Sequence, residues 1–122
     1  MLLLFDLIQV SLGAKVFLFH TPSIEEWWEI YHQAEKQAVL GACFQGAQQL
    51  KEQKQYPPKD LLFQWIAVAE QIKKQNILAF KRTSEIVNLF AESGFRSCIL
   101  KGQGNALMYA NPYSRMSGDI DI

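Results

Sequence analysis

Ile99-Leu100-Lys101-Gly102 and, further along, Gly118-Asp119-Ile120-Asp121-Ile122 are the two stretches on which the fold turns. The first ends the run Phe95 to Leu100 (FRSCIL), which is short, apolar and bounded by glycines, the pattern of a buried strand. Lys101-Gly102-Gln103-Gly104 predicts a turn, Asn105 to Ala110 a short helix, and Asn111-Pro112-Tyr113-Ser114 a break. Asp119-Ile120-Asp121-Ile122 alternates polar and apolar residues with period two, as a strand does. Residues 95–122 therefore predict strand–turn–helix–strand, the start of an α/β unit.

The residues before them predict helices. A first helix spans about Leu2 to Leu12, with Leu4, Leu7, Ile8 and Leu12 on one face, and stops near Gly13. Ser23-Ile24-Glu25-Glu26 fits a capping box with Glu26 reaching back. Behind it Ile24, Trp27, Trp28, Tyr31, Ala34 and Ala38 form a core-facing stripe. Gly41 to Lys51 continues as a helix with Phe44, Ala47 and Leu50 inward. Pro57-Pro58 opens a further helical stretch that reaches Ser93. Its expected stripes are Leu62, Ile66, Ala69 and Ile72, then Ala79, Ile86, Leu89 and Phe90. One straight helix of that length would run about 50 Å, so a bend or break is expected near Lys74 to Asn76. Gly94 supplies the stop. The expected domains are a helical region, 1–94, and the beginning of a catalytic core, 95–122.

Composition limits the function. Half the residues are hydrophobic (49%), enough for a core. Twelve basic and twelve acidic residues cancel, which argues against a broad basic face for nucleic acid but leaves room for a local phosphate site. Met1 to Val10 lacks the positive start of a signal peptide and carries Asp6. No stretch reaches the roughly 18 apolar residues of a membrane span, so the expectation is a cytoplasmic protein. Cys43 and Cys98 lie far apart without a CxxC neighbour and read as buried free thiols. His20 and His32 have no partner at zinc-ligand spacing.

Two features carry chemistry. Asp119 and Asp121, two apart in a strand, point to one face about 6.5–7 Å apart along the chain. They suit a hard cation such as Mg²⁺, which takes carboxylate and phosphate oxygens; a solvated strand edge gives the same letters. At Lys101-Gly102 a strand end, glycines at 102 and 104 and a lysine make a phosphate site, or a plain turn with an exposed lysine.

The order of these parts resembles the DNA-polymerase-β-like nucleotidyltransferase superfamily. Ile99 to Gly102, Leu107-Met108-Tyr109, Pro112, Arg115 and Gly118 to Ile122 resemble a bacterial family of uncharacterised nucleotidyltransferases, as do Glu25-Glu26-Trp27 and Glu92-Ser93-Gly94-Phe95 upstream. The resemblance implies that Asp119 and Asp121 are the first two metal-binding carboxylates, for Mg²⁺ or Mn²⁺. It places Lys101 and Gly102 where the superfamily has a Gly-Ser that holds the nucleotide's phosphates. Arg115 either touches a phosphate or balances the acidic pair; Tyr109 and Tyr113 read as packing residues. The superfamily's third carboxylate lies on a later strand, so an N-terminal fragment of a longer protein, inactive alone, is expected. The implied reaction moves a nucleoside monophosphate from an NTP to a small molecule, a protein or an RNA end. The competing reading is a non-catalytic interaction module with a degenerate motif, offering Trp27, Trp28 and Trp65 to a partner.

Overall fold

The computed structural model describes residues 2–116. The fold is mainly helical, and among the described residues there is no β-strand. The elements are α1 (Leu2–Ser11), α2 (Ile24–Lys36), α3 (Leu40–Gln49), a 3-10 turn at Leu50–Gln53, α4 (Lys59–Glu92), α5 (Gly102–Ala106) and a 3-10 turn at Pro112–Ser114. Two compact units, Met1–Glu70 and Gln71–Ile122, divide within α4.

The first unit is a helical core around Trp65. Its indole Nε1 donates to the carbonyl of Leu40 at 2.9 Å, which satisfies a polar atom in a fully buried ring. Tyr31 meets Trp65 edge-on with ring centroids 5.4 Å apart, and Trp27 does so at 6.4 Å. The interaction-module reading therefore loses two of its tryptophans, because Trp27 and Trp65 are core residues. Leu4, Leu7, Val10, Ile30, Ala34, Phe44, Ala47 and Leu50 complete the packing. Helix α3 approaches α1 closely at Gly46: a Cβ there would sit 2.8 Å from the carbonyl oxygen of Leu7 and collide with the Ser11 hydroxyl. Cys43 is buried in this core, and loss of water pushes its thiol up to about 12. It is inert at neutral pH.

The capping box forms as the sequence predicts. The Glu26 N–H donates to Ser23 Oγ at 3.2 Å, and Glu26 Oε1 accepts from the Ser23 N–H at 3.0 Å. His20 Nε2 lies 3.0 Å from the same carboxylate. Burial picks Trp27, Ile30, Tyr31 and Ala34 on α2, while Ile24 stays exposed. Ala38 does not extend the stripe, because the helix has already ended. Ala38 takes φ 57°, its N–H donates to Glu35 O, and the Val39 N–H donates to Ala34 O. This is a Schellman stop, with alanine where glycine is usual. The Val16 to Phe19 stretch is mostly exposed, but Leu18 is buried. Gln55 holds it there: its amide accepts from the Leu18 N–H and donates to the Leu18 carbonyl, both at 2.8 Å. On α1, Leu12 is exposed beyond the helix end, and Val10 takes the core position instead.

Helix α4 runs through Lys74 to Asn76 without interruption, so no break occurs there. Its buried residues are Leu61, Trp65, Ile72 and Asn76. The face is one position away from the expected Leu62 and Ile66, which are half-buried and exposed. Ala79 and Ile86 are half-buried, and Leu89 and Phe90 are exposed. The helix ends in another Schellman stop. The Phe95 N–H donates to Phe90 O at 2.9 Å, the Gly94 N–H donates to Ala91 O at 3.1 Å, and the Phe90 and Phe95 rings meet edge-on at 6.4 Å.

The expected first strand is not shown among the described residues, although Leu100 makes an isolated bridge. Phe95 closes the helix end instead of opening a strand, and residues 95–99 make no ladder among the described residues. Cys98 is exposed, not buried. The expected second strand, Asp119 to Ile122, lies outside the described residues. No helix among the described residues is long and apolar enough to cross a membrane.

Candidate functional site

The second unit contains all three of the buried polar residues found among those described: Asn76, Gln103 and Ser114. A buried polar side chain is costly unless it is paired. Asn76 is fully buried on α4, and its Nδ2 donates to three backbone carbonyls. These are Ile72, one turn back at 3.1 Å, Tyr113 at 2.9 Å, and Arg115. Its Oδ1 accepts a longer contact, 3.4 Å, from Gln103 Nε2. Three oxygens around one amide end fix its orientation, since the flipped amide would set oxygen against oxygen.

This one side chain brings two expected site segments together. Gln103 belongs to the Lys101–Gly104 stretch, and Arg115 stands four residues before Asp119. The Tyr113 ring packs edge-on against Phe80 of α4 at 5.7 Å, so Tyr113 is a packing residue as expected. Asn111 caps the 3-10 turn by accepting from the Tyr113 N–H at 3.0 Å, and Ser114 Oγ donates to the Asn111 carbonyl at 2.7 Å. The chain that delivers Arg115 is thus pinned at Tyr113, Ser114 and Arg115. One terminal guanidinium nitrogen of Arg115, Nη1, is buried and has no hydrogen-bond partner among the described residues.

At the Lys101 turn the helix begins earlier than expected, at Gly102, and α5 spans Gly102–Ala106 rather than Asn105 to Ala110. Lys101 is exposed and takes φ 49°, ψ −132°. A non-glycine residue adopts that conformation only at a cost. Gly102 is buried. Gly104 has a structural reason to be glycine: a Cβ there would lie 2.7 Å from the carbonyl oxygen of Ile99.

Asp119 and Asp121, the expected metal ligands, lie outside the described residues. Among the described residues no three His, Cys, Asp or Glu side chains cluster to hold a metal ion. Two carboxylates suit Mg²⁺ or Mn²⁺ by the chemistry of their oxygen donors.

The sequence reading missed Asn76. The signal was present: on the stripe Leu61, Trp65, Ile72, the next inward position is an asparagine. Expecting the helix to bend or break at Lys74 to Asn76 hid it.

No curated protein and no solved structure matches the chain. A model of a protein family described as uncharacterised nucleotidyltransferase matches residues 23–122. That match begins at the N-cap of α2 and takes in Asn76, the Lys101 turn, Arg115 and the Asp119-Ile120-Asp121 motif. The chain belongs to the uncharacterised nucleotidyltransferase family.

Proposed function

We propose that the protein takes part in Mg²⁺-dependent transfer of a nucleoside monophosphate from an NTP to an acceptor hydroxyl or phosphate. The observation that carries this reading is the family match over residues 23–122, which includes Asp119 and Asp121. An acceptor oxygen forms a bond to the α-phosphorus, a hydroxyl acceptor giving up its proton to water; the bond from that phosphorus to the bridging oxygen of the β-phosphate breaks, and pyrophosphate leaves with the electron pair. Asp119 and Asp121 hold the cation. When bound, it supplies charge neutralisation at the triphosphate. Lys101 and Arg115 place positive charge beside the phosphates, and Gly102 and Gly104 keep the backbone near them open. Catalysis of this type is mostly positioning and electrostatics, so the pinning of Arg115 by Asn76 supports the reading.

The test is NTP-dependent labelling of an acceptor by the full-length protein and by its Asp119→Asn and Asp121→Asn variants. The reading expects labelling by the parent and none by either variant. Equal labelling by all three would rule the mechanism out.

A further inference from the structure

The buried amide of Asn76 stands outside the functional reading of the motifs, yet it is the side chain that ties them together. Its contact with Ile72 is local to α4, a bond any helical asparagine can make one turn back. Its contacts with Tyr113 and Arg115 cross 37 and 39 residues of chain. Its Oδ1 also receives Gln103, two residues past Lys101. No other side chain hydrogen bond among those described reaches both segments.

An amide has two N–H groups, and here three carbonyls compete for them. The carbonyls of Tyr113 and Arg115 are held by a donor that comes from α4. The stem beneath Arg115 is therefore set by α4, while the Arg115 guanidinium keeps a buried nitrogen without a partner among the described residues. A cation whose backbone is held, with Nη1 unpartnered among the described residues, suits an anionic ligand.

We infer that Asn76 is a positioning residue for NTP binding: it fixes the backbone of Arg115 so that the guanidinium meets the triphosphate. This rests on the proposed nucleotidyltransferase reading. Asn76 touches no substrate and acts through Arg115.

The experiment measures the affinity of the full-length protein for each of Mg²⁺-ATP, -GTP, -CTP and -UTP. The proteins compared are the parent, Asn76→Ser, Asn76→Leu, Arg115→Ala and the double variants. Serine can keep the local bond to Ile72 but cannot reach Tyr113 or Arg115. Leu61→Ala, in the core of the first unit, provides a matched loss of stability. Asn76→Ser and Asn76→Leu are expected to weaken binding of the preferred NTP by about tenfold, and by less than about twofold once Arg115 is already alanine. Leu61→Ala is expected to bind as the parent does at temperatures where it is folded. Parent-like affinity in folded Asn76 variants overturns the inference while leaving the functional reading intact. So do Asn76 and Arg115 effects that simply multiply. Loss of folding in both Asn76 variants would make Asn76 a determinant of the fold and also overturn it. A parent protein that binds none of the four NTPs defeats the functional reading itself, and this inference with it.

Discussion

Asn76 donates from its buried Nδ2 to the backbone carbonyl of Arg115, joining positions 39 residues apart. The same atom serves the carbonyls of Ile72 and Tyr113. Removing the amide leaves these carbonyls to compete for nothing. Asn76→Leu is expected to destabilise the protein by about 3 kcal/mol, the scale of stranding buried polar groups. Urea denaturation checks this; a change below about 0.5 kcal/mol would mean that the carbonyls find water instead.

Lys101 holds a backbone conformation that suits glycine, φ 49° and ψ −132°. Lys101→Gly is expected to raise stability by about 1 kcal/mol through relief of that strain, and to weaken NTP binding through loss of the charge. Stability and affinity moving in opposite directions would mark a strained residue kept for its side chain. A variant that gains no stability would argue against strain at this turn.

Ala38 closes α2 at φ 57°, a left-handed position. Ala38→Gly is expected to stabilise the first unit by about 1 kcal/mol, since a Cβ is disfavoured there. A shift of the urea midpoint to higher concentration supports the assignment, and a shift to lower concentration contradicts it.

Glu26 links the helix start to acid stability. The backbone bond from Ser23, then the His20 side chain, hold its carboxyl below the ordinary 4.5. A lowered folded value means that its stabilisation is fully present above about pH 4.5 and is lost as the pH falls through the folded value. Glu26→Gln is therefore expected to flatten the decline of Tm below pH 4.5 and to leave its slope near pH 7 unchanged. Ser23→Ala should cost about 1 kcal/mol at neutral pH. An unaltered acid limb in Glu26→Gln would contradict the coupling.

What the sequence disclosed and what it hid follow from the range of the interactions. The Ser23–Glu26 box and the stop at Gly94 are local, set by residues within one turn, and both read correctly. The core roles of Trp27, Tyr31, Phe44 and Ala47 follow from helical spacing. On α4 spacing was not enough, because apolar residues at 61–63, 65 and 66 permit two adjacent faces, and only packing chooses Leu61 and Trp65. Phe95 reads as the start of a strand because its apolar run looks alike in both settings; its ring contact with Phe90 belongs to the helix end. Asn76 and Gln55 each bond to a partner 37 residues away, and no local pattern shows which backbone groups such an amide will meet. At the site, Lys101, Gly102, Gly104 and Arg115 were legible as a motif, whereas the side chain that connects their segments was not.

The most direct test of the central claim is a calorimetric titration of the full-length protein with NTP, with and without Mg²⁺, repeated in Asp119→Asn and Asp121→Asn. The account predicts Mg²⁺-dependent binding of at least one NTP by the parent and its loss in both variants. Binding that needs no divalent cation, or that survives both substitutions, would contradict it.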